Sequence, residues 1–183
     1  MVLLKSENFK PNFQAPDFDL PSVDGRRCQL SDFSSKQVLA VLFICNHCPY
    51  VKAIEDRLIA LEREFHGQNV QLVGICANDP THYPEDDPAS LLKRWQEKNY
   101  GFPYLIDESQ QTARAYGAVC TPDLFVFDAS RRLAYHGRLD DNWQEPAQVT
   151  RRDLALAIQA LLTGQRPSAE QIPSMGCSIK WKK

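Results

Sequence analysis

Residues Val38 to Lys52 read VLAVLFICNHCPYVK. Val38 to Ile44 form an unbroken apolar run rich in Val, Leu, Ile and Phe. A strand buried on both faces, as in a parallel sheet, has this composition. After Cys48 the period changes. Val51, Ile54, Leu58, Leu61 and Phe65 recur at helical spacing, while Lys52, Glu55, Asp56, Glu62 and Arg63 take the other side. That pattern is an amphipathic helix, and Gly67 is placed to end it. The stretch therefore reads as strand, turn, helix, with Cys45, His47 and Cys48 on the turn.

Outward from this core, the segment 11–30 (PNFQAPDFDLPSVDGRRCQL) sets short apolar pieces around the turn dipeptide Asp24-Gly25 and reads as a hairpin or meander. Val70 to Ala77 is a second apolar strand. Residues 78–88 form a turn-rich loop, after which Asp87 as N-cap and Pro88 at the first helical position start a helix through Leu91, Leu92 and Trp95. FPYLID reads as a short strand. Ser109 is expected to cap a short helix that Gly117 ends. DLFVFDASRRLAYHGRL reads as a hairpin turning near Asp128 to Arg131. Thr150, with Asp153 three residues on, is expected to open a last helix along Leu154, Ile158 and Leu161, closed by Gly164. Residues 165–183 read as a C-terminal tail held by Ile172, Ile179 and Trp181. Alternating strands and helices ending in a hairpin predict one α/β domain over 1–183, with a mixed central sheet and helices on both faces.

Bulk properties narrow the function. A chain of 183 residues, 43% hydrophobic and 24% charged, suits one soluble domain with a substantial core. A net charge of −2 gives no general attraction to nucleic acid or anionic membrane. No apolar stretch approaches the ~18 residues of a membrane span, and MVLLKSENFK lacks the apolar core of a secretory signal. The expected compartment is the cytoplasm, where thiols stay mostly reduced. The six cysteines, at 28, 45, 48, 76, 120 and 177, are unevenly spaced, so catalytic, redox or metal roles are favoured over a disulfide framework.

At a strand-to-helix junction, unpaired backbone N–H groups and the helix dipole favour negative charge. Cys45 is read there as the attacking thiolate, and Cys48, about one turn further in, as the resolving thiol. A protonated His47 would add positive charge beside the thiolate; a solvated histidine on an exposed turn is the plainer reading. Pro49 tolerates the first turn of a helix but restrains Cys48 away from helical angles, an apparent local conflict.

The segments APDFDLPSVDGRRCQLSDF, CNHCPYVKA, GAVCTPDLFVFD and the terminal GCSIKW resemble the thioredoxin superfamily, specifically the peroxiredoxin-like branch related to alkyl hydroperoxide reductase and thiol-specific antioxidant proteins. The resemblance covers most of the chain. It implies a thioredoxin-like fold with an N-terminal β-hairpin extension, and thiol–disulfide oxidoreductase activity at Cys45 and Cys48. It further implies that Pro122 is a cis-proline facing the dithiol and that Thr121 offers backbone hydrogen bonds to an extended substrate segment. Implied partners are a protein or small-molecule thiol or disulfide and an electron donor; no cofactor, nucleic acid or membrane is implied. Two positions depart from the pattern. Thioredoxins often carry a buried Asp where this chain has Leu39. Peroxidases of this kind carry Thr or Ser three residues before the reactive cysteine, where this chain has Leu42 (for Cys45) or Cys45 itself (for Cys48).

Other readings stay open. A peroxiredoxin-like thiol peroxidase is the nearest alternative. A metal site built on the Cys45–Cys48 motif, completed by His47, Cys120 or Cys177, is another, although no second CxxC or paired histidine motif accompanies it. Cys120 and Cys177 are candidate additional exchange thiols or packed structural residues, while Cys28 and Cys76 read as structural. The acidic clusters Glu85-Asp86-Asp87 and Asp140-Asp141 could each be read as a cation site; a solvated loop and a helix cap explain the first equally well, and neither is claimed as one.

Overall fold

The apolar run lies at the centre of a mixed sheet in the computed structural model, which describes residues 3–7 and 12–182. Pro11 of the expected hairpin segment and Lys183 of the tail lie outside the described residues. In chain order the strands are β1 (Leu3–Lys5), β2 (Asp19–Pro21), β3 (Arg27–Gln29), β4 (Val38–Phe43), β5 (Val70–Cys76), β6 (Tyr104–Ile106), β7 (Cys120–Thr121), β8 (Asp123–Phe127), β9 (Leu133–His136) and β10 (Met175–Ser178). The helices are α1 (Pro49–Phe65), α2 (Pro88–Lys98), α3 (Gln111–Tyr116) and α4 (Asp153–Leu162). The main sheet has the order β6-β5-β4-β8-β9. β4 runs parallel to β5 and β5 to β6, while β8 is antiparallel to both β4 and β9.

The alternation along β4 distributes the core. Val38, Ala40 and Leu42 face a cluster with Ile54, Leu58 and Leu61 of α1, Leu91 of α2 and Leu154 and Ile158 of α4. Leu39, Val41 and Phe43 face the other side, with Ala113 and Tyr116 of α3 and Phe18, Leu20 and Phe33 of the N-terminal segment. Both faces are covered, which is why this strand is apolar without interruption. Cys45 and Cys48 belong to the first cluster and Leu39 to the second, so Leu39 fills core on the far side of the sheet from the thiols.

The hairpin around Asp24-Gly25 is formed by β2 and β3, with Gly25 at φ +86. Asp87 caps α2 by accepting from the Ser90 N–H at 2.7 Å, with Pro88 at the first helical position. Two other caps differ from expectation. The residue before α3 is Gln110, in a left-handed conformation, and the buried Asp107 carboxylate accepts from Ala113 N at 2.8 Å. Ser109 Oγ accepts from Gln111 N at 3.2 Å and itself donates to Asp107 Oδ1 at 3.1 Å. At α4, Thr150 does not open the helix: its N–H and hydroxyl both turn to Asp141, and Asp153 is the first helical residue, ion-paired to Arg138 and Arg151. In both places a carboxylate competes for the same donors and accepts more strongly than a hydroxyl.

The C-terminal segment docks as a strand. β10 pairs antiparallel with β1 on one side and β7 on the other, making a second, three-stranded sheet. Ile179 is buried and Trp181 half-buried under the Arg114 guanidinium, whereas Ile172, expected as an anchor, is 47% exposed. Instead, the Ile172 carbonyl accepts from Arg138 N. Among the described residues no helix is long and apolar enough to cross a membrane.

Candidate active site

β4 ends at Phe43, and the backbone N–H of Ile44 still bonds to Ile75 O across to β5. The chain then turns through Cys45-Asn46-His47 and enters α1 at Pro49. Cys48, not Cys45, is the N-cap of that helix, at φ −70 and ψ 122. An N-cap requires extended angles, and a residue before proline prefers them, so the conflict expected at Cys48-Pro49 does not arise. The two cysteines are 1% and 0% exposed.

Asp86 fastens the turn. Its Oδ1 accepts from Asn46 N at 2.7 Å and His47 N at 3.1 Å; its Oδ2 accepts from His47 Nδ1 at 2.5 Å and Asn78 Nδ2 at 2.8 Å. Asn46 Nδ2 adds a bond to Ser90 O at 3.0 Å. Burial pushes the Asp86 carboxyl up, but the His47 bond and charge, with Asn78, outweigh it and hold the group below its ordinary value. This carboxylate sits in the acidic cluster that the sequence presents as solvated loop. His47 is likewise not a solvated histidine: its side chain is 5% exposed, its ring lies 4.4 Å from the Tyr83 ring, and Nδ1 faces Asp86 rather than a sulfur.

The opposite wall is the loop between β7 and β8. The Thr121–Pro122 peptide is cis. Thr121 Oγ1 lies 3.2 Å from Cys45 Sγ, and the Cys48 thiol donates to Thr121 O at 3.1 Å. Thr121 also pairs in register with Cys177 of β10. The place foreseen for an extended external segment is thus filled by the chain's own C-terminal strand. Gly176 permits this approach, since a Cβ there would lie 2.0 Å from Thr121 O.

The sulfur atoms form a row. Cys45, Cys48 and Cys177, the last 3% exposed, are buried in one cluster, with Cys48 influenced by both of the other thiols. Burial pushes Cys45 up, and its hydrogen bond to Cys48 pushes it further. For Cys48 the Cys45 bond is the largest influence and lowers the thiol to about 4; burial opposes, and Cys177 adds to the lowering. Burial raises Cys177 to about 12. Of the dithiol pair, Cys48 is shifted toward the thiolate and Cys45 toward the thiol. When protonated, Cys48 donates to Thr121 O. Cys120 is buried nearby with its sulfur 3.6 Å from Pro122 O, and burial raises its thiol. Cys76 is fully buried and Cys28 half-buried, as structural residues would be.

Among the described residues, the metal-ligating groups gathered within 4.8 Å of one another are Cys45, His47 and Asp86. This is not the set that the CxxC spacing suggests, and both Asp86 oxygens are already committed to protein donors. The residues present do not fit a resident metal.

Tyr50, Ile54, Pro122, Leu139, Trp143 and Met175 line the apolar part of a cavity of about 300 Å³ that also takes in Lys5, Arg138, Asp140 and Asp141. It reaches the site at Pro122, and the Tyr50 and Trp143 rings meet within it at 4.4 Å, tilted by 45°.

Comparison with known proteins agrees with this architecture. Residues 11–136 match the AhpC/TSA family. A conserved protein from Geobacillus kaustophilus is 42% identical, with a TM-score of 0.94 over 100% of this chain and 97% of that one. A thioredoxin family thiol:disulfide interchange protein from Chlorobium tepidum TLS, 19% identical, matches 71% of this chain and 87% of its own with a TM-score of 0.58, which establishes a thioredoxin-like fold. The thiol-disulfide oxidoreductase ResA of Geobacillus thermodenitrificans is 24% identical over 121 residues, 65% of this chain; the match spans 64% of that relative's length.

Two outcomes follow from the geometry. Gly176→Ala forces β10 off the Thr121 loop at a cost of about 1–3 kcal/mol, and iodoacetamide should then modify Cys45 and Cys48 faster than in the parent protein at the same pH. Because the Cys48 pKa is depressed, its anion persists as pH falls. The ultraviolet thiolate absorbance of the reduced protein should be lost in a step near pH 4, the value to which Cys48 is lowered. In Cys45→Ser that step should move up toward the ordinary thiol value of about 8.5.

Proposed function

The chain belongs to the AhpC/TSA family, and from that premise we propose that it is a thiol–disulfide oxidoreductase whose redox dithiol is Cys45 and Cys48. The observation that carries this reading is the placement of both sulfurs against Thr121, on a turn that Asp86 fastens through Asn46 and His47. A structural cysteine needs no such setting.

In the reducing direction, Cys45 Sγ attacks one sulfur of a substrate disulfide, and the substrate's other sulfur leaves as a thiolate. The departing substrate thiolate takes up the Cys45 proton, since Cys48, with its lowered pKa, is the weaker base. Cys48, held as the thiolate, then attacks Cys45 Sγ. The mixed disulfide breaks, the second substrate thiol leaves, and the Cys45–Cys48 disulfide remains until a thiol donor reduces it. His47 tunes the couple by pairing with Asp86, whose unpaired negative charge would otherwise raise Cys45 further. Pro49 fixes Cys48 at the N-cap. The substrate is a protein or small-molecule disulfide, entering along the Pro122 cavity.

A thiol peroxidase is the second reading, and one specific contact favours it. The hydroxyl absent at Leu42 is supplied by Thr121, 3.2 Å from Cys45 Sγ. A hydroperoxide would oxidise Cys45 to a sulfenic acid, releasing water or an alcohol, and Cys48 would condense with it to the same disulfide and water.

Cys45→Ser should abolish disulfide exchange, and Cys48→Ser should accumulate a mixed disulfide on Cys45, both read by mass spectrometry of alkylated protein. Full exchange activity in both variants would sink the assignment. Run with a hydroperoxide in place of a disulfide, the same assay gives saturable peroxide consumption that falls in Thr121→Val only if the peroxidase reading holds.

A further inference from the structure

The dithiol reading uses two thiols of a row of three. Cys177 lies opposite Thr121 in the β10–β7 ladder, and the Thr121 carbonyl lies 3.1 Å from Cys48 Sγ. Paired residues of a ladder face the same side, so the Cys177 side chain lies on the side from which the Thr121 hydroxyl meets Cys45, and Cys45, Cys48 and Cys177 are buried in one cluster. The strand carrying Cys177 is held by β1 on its other edge, and Gly176 lets it close onto the Thr121–Pro122 peptide without a side chain between. A cysteine on an extended segment, paired with the residue before the proline and touching the dithiol, occupies the position of a substrate cysteine. Cys120 provides the contrast: equally buried, it faces the Pro122 carbonyl.

We propose that β10 is a built-in exchange partner and Cys177 a third redox thiol of the same site, an inference that rests on the Cys45/Cys48 reading. After Cys45 and Cys48 have been oxidised to a disulfide by substrate, the Cys177 sulfur attacks Cys48 Sγ. The Cys48–Cys177 bond forms, the Cys45–Cys48 bond breaks, and Cys45 leaves as the thiolate and takes up the proton that Cys177 gave up. One disulfide and one thiol are present before and after, so no outside oxidant or reductant enters the step. The two sulfurs close to a bond of about 2.05 Å. The disulfide is then stored on the C-terminal strand, and Cys45 is returned to the site for a second attack.

The test is disulfide mapping by mass spectrometry after treatment with oxidised glutathione and alkylation. It uses the wild-type protein, Cys45→Ser, Cys45→Ser with Cys177→Ala, and Cys120→Ser as a control. The relay predicts both Cys45–Cys48 and Cys48–Cys177 linkages in the wild type and in Cys120→Ser. In Cys45→Ser it predicts that the glutathione adduct on Cys48 resolves into Cys48–Cys177, and in the double variant that the adduct persists. A wild-type protein that forms only Cys45–Cys48, or a Cys45→Ser protein that keeps the adduct with Cys177 alkylated, overturns the relay and leaves the dithiol standing. A wild-type protein without any Cys45–Cys48 linkage overturns the dithiol reading and the relay with it.

Discussion

Thr121 is the residue on which the site depends. Its hydroxyl meets Cys45, its carbonyl meets Cys48, its ladder partner is Cys177, and its peptide bond to Pro122 is cis. Two sulfurs from the turn after β4 and one from β10 thus share one small polar residue within an apolar core. A buried thiolate is destabilised unless hydrogen-bond donors surround it. Here the Thr121 hydroxyl meets Cys45 and the neighbouring thiols shift one another, in a site where Leu39 replaces a buried carboxylate.

The second constraint is the Asp86 carboxylate. An unpaired buried carboxylate is costly, and this one accepts four hydrogen bonds, which fills the acceptor capacity of its two oxygens. Three of the donors belong to Asn46 and His47, so satisfying Asp86 and shaping the turn between the cysteines are the same event. The loop 78–88 is therefore part of the site, and the 3-10 turn over Pro84–Asp86 delivers the carboxylate. The same pairing turns His47 Nδ1 toward Asp86 and away from the sulfurs.

Much of this was legible in the sequence, because it is local. The unbroken apolar run of β4, the helical period of α1, the Asp87-Pro88 start of α2 and the Asp24-Gly25 turn each carry their own signal. The strand–turn–helix order placed Cys45 and Cys48 together, and the resemblance pointed to Pro122 as cis. What escaped was set by tertiary competition. Thr150 has the spacing of a capping box, yet Asp141 claims its donors; Ser109 has the place of a cap, yet Asp107 reaches the helix first. Asp86 in a run of acidic residues has no mark that distinguishes it from solvated neighbours. Its burial follows from Asn46 and His47, which lie about forty positions away. The docking of β10 is non-local in the same way. Its one sequence signal is Gly176 beside Cys177, where a small residue permits the close approach of two backbones.

The central claim is that Cys45 and Cys48 form a reversible two-electron couple. The most direct measurement equilibrates the protein across a series of glutathione or dithiothreitol redox buffers, traps the thiols with an alkylating reagent and assigns the modified cysteines by mass. One two-electron transition is expected, in which Cys45 and Cys48 lose alkylation, and it is absent from Cys48→Ser. A protein in which both cysteines are alkylated at every potential would contradict it.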